Sequence, residues 1–208
     1  MSDTFFTRDD SAQRISLRER KKRLVQTTIE ETALRLFQQQ GYEQTSIQDI
    51  AEAVMMSTRT FFRYFASKEE VLFGPIHTSL YESMRVLQQV APTATPHAAL
   101  RTTFMHMADL YQQQRASFLI RYQVAAQTPS IASIYLYTMM EKEPEICDVL
   151  CSRLDGSMDY HEMRLLVGMY MAVFRIAVEI WLKQKAQGDL VSLLREYLDL
   201  CSSLSHNI

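Results

Sequence analysis

Apolar residues recur along this chain at three- and four-residue spacing, the period of helices packed on one face. Leu24, Val25, Ile29, Ala33, Leu36 and Phe37 form the first such stripe, in a helical pattern that begins at Leu17. It stops at Gln38-Gln39-Gln40, and Gly41 stands where a left-handed C-terminal cap belongs. Ile47, Ile50, Ala51 and Val54 predict a short helix, with Thr45 and Gln48 at capping-box spacing. After Met55-Met56, Ser57 caps a second short helix whose apolar residues include Phe61 and Phe65. Ser67 and Glu70 form another box that opens a longer helix to about Val90, and Gly74-Pro75 predicts an early kink or interruption in it. Pro92 and Pro96 flank a linker, with Pro96 in the first turn of the next helix. Helical periodicity then covers 97–113, 115–127, 130–142, 145–154, 160–186 and 189–204, punctuated by Pro129, Pro144, Gly156 and Gly188. No period-2 strand pattern of useful length and no internal repeat is present. The expected fold is all-α: a loose arm over 1–16, a small three-helix unit over 17–66, and a larger helical bundle over 67–208.

Composition narrows the class. The 208 residues are 47% apolar and 22% charged, and only five are Gly and five Pro, which disfavours disorder, collagen and turn-rich β folds. Charge is unevenly spread: 11 basic and 9 acidic residues in 1–68, against 11 and 15 in the remainder of the totals of 22 and 24. Met1 to Asp10 is polar and acidic and predicts no signal peptide. Leu165 to Leu182 is the most apolar stretch, but Arg175 and Glu179 at i,i+4 spacing argue for a buried helix and against a membrane span. Cys147, Cys151 and Cys201 are read as reduced thiols of a cytoplasmic protein. Cys147 and Cys151 lie one helical turn apart, a spacing that fits structural thiols, a redox pair or half a metal site, and no Cys or His cluster completes such a site. No cofactor or metal is expected.

Two short helices joined by a tight turn and braced by a longer one describe a helix-turn-helix unit, whose second helix enters a DNA major groove. With Phe61 and Phe65 anchoring that helix inward, Thr58, Arg59, Thr60, Arg63 and Tyr64 face outward. Arg reads guanine bidentately, Thr bonds bases or touches a thymine methyl, and both clamp phosphates. The competing reading is a solvated helix face.

Residues 21–73 resemble the N-terminal domain of the TetR family of transcriptional regulators. The matching blocks are Ala33-Leu34-Arg35-Leu36-Phe37, Gly41-Tyr42, Thr45 to Ala51, Ser57 to Phe65, and Ser67 to Phe73, in order and at the right spacing. The resemblance implies a homodimer whose two recognition helices read a palindromic double-stranded operator, at the nucleoid, with a small-molecule pocket in the rest of the chain. By position it assigns Ser46 and Thr60 to phosphate or base contacts, Gln48 to a possible base contact, and Ser57, Thr58, Arg59, Phe62, Arg63 and Tyr64 to the reading surface. Lys68 matches a backbone contact at a helix N-terminus. Gln48 has two readings, since a capping role would take it away from DNA. Two departures stand out. The family usually has Gly where Met55 stands, and Met at positive φ costs about 1 kcal/mol or more, so a differently built turn is expected. Phe62 replaces a frequent Tyr, removing a hydroxyl and leaving an apolar contact or packing. Arg14, Arg18, Arg20, Lys21, Lys22 and Arg23 form a basic cluster that suits a minor-groove arm, phosphate attraction or a solvated helix start.

In 160–186, Leu165, Leu166, Met169, Tyr170, Val173, Phe174, Ala177, Ile180 and Trp181 leave little polar face, so several sides need cover. The expected dimer interface uses Val173, Phe174, Ala177, Trp181, Leu194 and Leu198 of the last two helices. Met105, His106, Tyr111, Phe118, Tyr122, Met139, Met140 and Arg175 are the candidate ligand residues, a Met and Tyr mixture that suits an amphipathic or aromatic molecule or an ordinary core. His106, Arg121, Arg175 and Glu179 are the polar groups expected to be partly buried. The pattern from Arg153-Leu154 through Trp181 to Gly188-Asp189-Leu190 resembles a TetR subgroup associated with acyl-coenzyme A-like ligands. The reading is a ligand-responsive homodimeric repressor. Its alternatives are an all-α small-molecule-binding protein or enzyme without specific DNA reading, and an architectural DNA binder. Gly74-Pro75 lies where a hinge or a static kink would sit.

Overall fold

The hydroxyl of Ser16 accepts the Glu19 N–H at 3.2 Å while the Glu19 carboxylate accepts the Ser16 N–H at 3.1 Å, a closed capping box that starts the first helix. The computed structural model describes residues 16–153 and 158–205. Its helices are α1 (Leu17–Gln40), α2 (Ile47–Ala53), α3 (Thr58–Phe61), α4 (Lys68–Gln89), α5 (Pro96–Gln113), α6 (Arg115–Gln127), α7 (Pro129–Arg153), α8 (Tyr160–Lys183) and α9 (Leu190–Ser205), and the described residues contain no strand. The fold is all-α, as the periodicity predicts. Arg14 and the rest of the predicted arm up to residue 15, and Gly156, lie outside the described residues.

Ile29, Ala33, Leu34 and Phe37 carry the buried face of α1, with Leu24 left exposed at its edge. Gly41 ends the helix at φ 90°, ψ 152°, its N–H on the Phe37 carbonyl at 3.0 Å. That backbone is open essentially to Gly alone and is not the left-handed helical conformation expected there. The cap of α2 is one residue later than its predicted box. Ser46 accepts the Asp49 N–H and donates to the Asp49 carboxylate at 2.7 Å. Thr45 is buried and donates to the Gly41 carbonyl at 2.7 Å.

The turn after α2 corrects a second expectation. Met55 adopts φ 55°. The Met56 N–H reaches the Ala51 carbonyl at 2.9 Å and the Met55 N–H the Glu52 carbonyl at 3.0 Å, the bond pair of a Schellman cap. Met therefore occupies the Gly position of an unaltered turn, with its side chain 95% exposed. The same bond pair closes α8, from Ala186 to Trp181 and Lys185 to Leu182, with Lys185 at φ 59°.

Neither internal proline divides its helix. α7 runs through Pro144, where the sequence pattern predicts a break between 142 and 145, and α4 runs through Gly74-Pro75 without interruption. Proline removes one N–H, so the carbonyl four residues earlier needs another donor. Pro144 and Met140 are exposed on α7, on a side open to solvent. Pro75 is buried, and the carbonyl it leaves unserved, that of Val71, receives Nη2 of Arg121 at 3.1 Å.

α4 packs on α1, α5 and α7, and α8 on α5, α7 and α9. Among the described residues α8 is the one helix long and apolar enough to cross a membrane, and half of that stretch is buried inside the protein. Val173, Phe174, Ala177, Trp181, Leu194 and Leu198 all lie inside the protomer's own core, where α5 and α7 close over α8 and α9. They cannot be the face a second subunit meets, which corrects the interface expectation. The large aliphatic residues these two helices turn outward are Leu165, Ile176 and Leu200.

Candidate DNA-reading surface and ligand cavity

Phe61 and Phe65 are buried beneath α3, their rings 5.9 Å apart, and fix which face the segment shows to solvent. Thr58, Arg59, Phe62 and Arg63 are exposed, and Thr60 and Tyr64 are half-buried. The helix proper is only four residues, continued to Phe65 by turn bonds from Arg63 to Thr60 and Tyr64 to Phe61. Arg59 and Arg63 form no ion pair among the described residues, so both guanidinium groups are available to a partner. Phe62 stands edge-on to Phe61 at 5.7 Å and remains 53% exposed, an apolar group presented outward beside two arginines. Gln48 is free of capping and donates to Glu52 at 2.8 Å.

Four further members of the predicted surface are engaged within the protein. Ser46 is tied to Asp49, whose carboxyl is held below its ordinary value by the hydroxyl and N–H of Ser46. Ser57 accepts the Thr60 N–H at 3.1 Å, and its hydroxyl meets that of Thr60 at 2.9 Å. Lys68 turns inward: its ammonium donates to the carbonyls of Tyr42 at 3.0 Å and Thr45 at 3.3 Å and sits 4.2 Å from the centre of the Tyr42 ring. Lys68 thus clasps the α1–α2 loop with two of its three N–H groups. Beside it Tyr42 donates to Glu69 at 2.6 Å. Burial and that carboxylate push the Tyr42 hydroxyl far up its scale. Glu69 is raised by burial but lowered more by the hydrogen bonds it accepts, from Tyr42 foremost, so its carboxyl ends below the ordinary value. The first turn of α4 is thereby fastened to the loop that leads into α2.

One turn further, α4 becomes the wall of a cavity of about 350 Å³. Leu72, Phe73 and Ile76 of α4 face Tyr111 of α5, Phe118, Arg121 and Tyr122 of α6, and Arg175, Val178 and Leu182 of α8. Tyr111 and Phe118 stack at 3.9 Å across the α5–α6 turn, and Tyr111 meets Phe174 edge-on at 5.4 Å. Of the predicted ligand residues, Tyr111, Phe118, Tyr122 and Arg175 line this cavity. Met140 and Arg175 border a second one of about 180 Å³. Met105 and His106 are half-buried on α5 and line neither cavity, and the side chain of Met139 lies outside the described residues. Arg175 is exposed at the rim, where Glu179 receives it at 3.4 Å and Lys183 at 2.7 Å.

Arg121 is 3% exposed and lines the cavity, although the sequence pattern marks it only as partly buried and not as a ligand residue. Its one signal in the sequence is that of a lone Arg in an apolar helical stretch. Cys147 is buried, its thiol pushed up to about 11 by burial and neighbouring acids, while Cys151 is exposed. Among the described residues no group of three His, Cys, Asp or Glu side chains is placed to hold a metal ion.

A helix-turn-helix head with an unpaired basic face, joined through one helix to a bundle that encloses a cavity, makes this the fold of a transcriptional regulator. The sequence profile for bacterial regulatory proteins of the tetR family matches residues 29–73, and that of the MftR C-terminal domain matches residues 94–204. TcmR, an HTH-type transcriptional regulator of Streptomyces glaucescens, is 32% identical over 186 residues, 85% of this chain and 81% of TcmR. The chain belongs to the TetR family of transcriptional regulators. A TetR-family structure from Syntrophomonas wolfei superposes with a TM-score of 0.61 at 17% identity, covering 88% of this chain and 95% of that one. Thermus thermophilus FadR, a TetR-family repressor solved with lauroyl-CoA, superposes at 0.51 and 21% identity, covering 84% and 92%. These two likenesses establish the fold. TetR-family proteins are regulators and not enzymes, which sets the enzyme reading aside.

Proposed function

We propose that this regulator is a homodimeric repressor that leaves a palindromic operator when a small amphipathic or aromatic effector fills the cavity lined by α4, α5, α6, α7 and α8. The observation that carries this reading is the double duty of α4. Its first turn is bonded through Lys68 and Glu69 to the α1–α2 loop, which leads into the DNA-reading helices, and its next turn, Leu72 to Ile76, is cavity wall. A ligand that repositions that wall moves the recognition segment with it. Release then requires unequal ligand affinity for the two arrangements, since affinity alone shifts nothing.

The base-reading set is Thr58, Arg59, Arg63 and Gln48, with Phe62 as an apolar contact and Tyr64 beneath. Dimerisation is assigned to the outer stripe of α8 and α9. Leu165, Met169, Ala172 and Ile176 follow helical spacing on α8, and Leu193, Tyr197 and Leu200 do so on α9, all exposed or half-buried. Two half-sites about 34–36 Å apart require two recognition helices, which supports a two-fold assembly. The test is selection of DNA sites from a random pool with purified protein, followed by release assays against a metabolite panel. A palindromic site lost on effector addition supports the repressor. A recovered site from which no effector at saturation displaces the protein would leave an activator or a constitutive repressor.

A further inference from the structure

Arg121 brings a buried guanidinium to the lining of a largely apolar cavity. Nε donates to the Leu72 carbonyl at 2.7 Å, Nη2 to the Val71 carbonyl and the Glu30 carboxylate, each at 3.1 Å, and Nη1 to the Ser117 hydroxyl. Four of its five N–H groups are thus committed. Among the described residues Glu30 is its one carboxylate partner. Glu30 belongs to α1, which braces the DNA-reading helices, whereas Arg121 belongs to α6 and the cavity wall.

The pair is poorly matched. Burial, with Glu31 close by, holds the Glu30 carboxyl above its ordinary value despite Arg121, and burial holds Arg121 below its ordinary value despite Glu30. Both partners give up water to make the pair, the usual cost of a buried ion pair. The bonds from Arg121 to α4 are of another kind, because Pro75 leaves the Val71 carbonyl no helical donor. The guanidinium is therefore fixed to α4 and only loosely matched to α1. Arg175 and Glu179, also in the lining, offset one another, so the lining residues carry one net positive charge, which disfavours a cationic ligand.

We infer that the cavity selects molecules with an apolar body and a single carboxylate, and that this carboxylate displaces Glu30 from Arg121. The inference rests on the cavity being the effector site. A ligand carboxylate also gives up water on entering, but burial of its apolar body offsets that cost, and it can use the fifth N–H as well. Once displaced, Glu30 turns to solvent and α1 loses its tie to α6, while Arg121 keeps its hold on α4. The ligand then binds better to the arrangement with Glu30 free, which supplies the unequal affinity that release requires.

The test is isothermal titration of the full chain with 2-naphthoate and decanoate, each against the alcohol of the same body. Both carboxylates are expected to bind about ten-fold tighter than their alcohols, the scale of one charged hydrogen bond. Glu30→Gln removes the competing charge but keeps the shape. It is expected to fold, as checked by thermal melting, and to tighten both carboxylates by about ten-fold while leaving the alcohols unchanged. A merely structural Glu30 would weaken all four probes or none. Equal binding of carboxylate and alcohol, no carboxylate binding, or no gain in Glu30→Gln overturns the exchange. Operator recovery by the ligand-free protein is a separate readout, so that failure leaves the regulator reading standing.

Discussion

Arg121→Met should be costly in this protein and much less costly when Pro75 is also replaced. Methionine keeps the apolar stem but removes every donor. The Leu72 carbonyl still has the N–H of Ile76 one turn ahead, and Glu30, 27% exposed, can turn to water. The Val71 carbonyl has no such recourse, because residue 75 is proline, and a buried carbonyl left without a donor costs about 1–3 kcal/mol. The expected loss for Arg121→Met is about 2 kcal/mol, most of it at Val71. Pro75→Ala restores the missing N–H, and its own effect is small because the regained bond opposes the greater freedom of the unfolded chain. In the double variant that restored N–H serves the Val71 carbonyl, so the Arg121 loss should shrink by about 1–2 kcal/mol. Urea unfolding of the four proteins at pH 7 gives this coupling directly. Additivity within about 0.5 kcal/mol would show that Arg121 does not compensate for Pro75 and would refute the reasoning.

Other consequences are as specific. Because the folded-state carboxyl of Glu30 is raised, its stabilising contribution is present below the ordinary carboxylate value and is lost as pH rises through the raised one. Glu30→Gln should accordingly gain in melting temperature relative to the parent between pH 4 and pH 7, and a gap that is constant or narrows with pH refutes the assignment. Leu165→Lys together with Ile176→Glu should yield a folded monomer by sedimentation, since both side chains are exposed in the protomer; an unchanged dimer would move the interface elsewhere. With a disulfide thiol reagent Cys151 should react first and Cys147, buried and with its thiol raised to about 11, only on unfolding. Rapid labelling of Cys147 in the native protein would contradict the packing of α7.

Much of the head is legible in the sequence because its signals are local. Ser57 as a cap, Gly41 as a stop and the inward Phe61 and Phe65 each act within one helical turn of where they stand. The choice between Thr45 and Ser46 as the cap of α2 is not, since both spacings fit and only burial of Thr45 decides it. Met55 shows a turn geometry strong enough to hold a residue that propensity disfavours. The outward side of α8 is illegible for a different reason. A helix apolar nearly all round gives no sign which residues its own bundle covers, so Val173 and Trp181 read the same as Leu165 and Ile176. Arg121 is hidden by distance: its partners on α4 lie 49 and 50 residues away and are backbone atoms, which no residue pattern marks.

That the exposed face of α3 reads DNA sequence in the service of a regulator is tested most directly by binding to the site recovered by selection. The parent and Arg63→Ala are compared there in low and high salt. A palindromic site bound tightly by the parent, with Arg63→Ala losing preference for that site over random DNA by about 1–3 kcal/mol, is the predicted result. Binding that is sequence-blind, equally strong in Arg63→Ala and abolished by salt in both would contradict it.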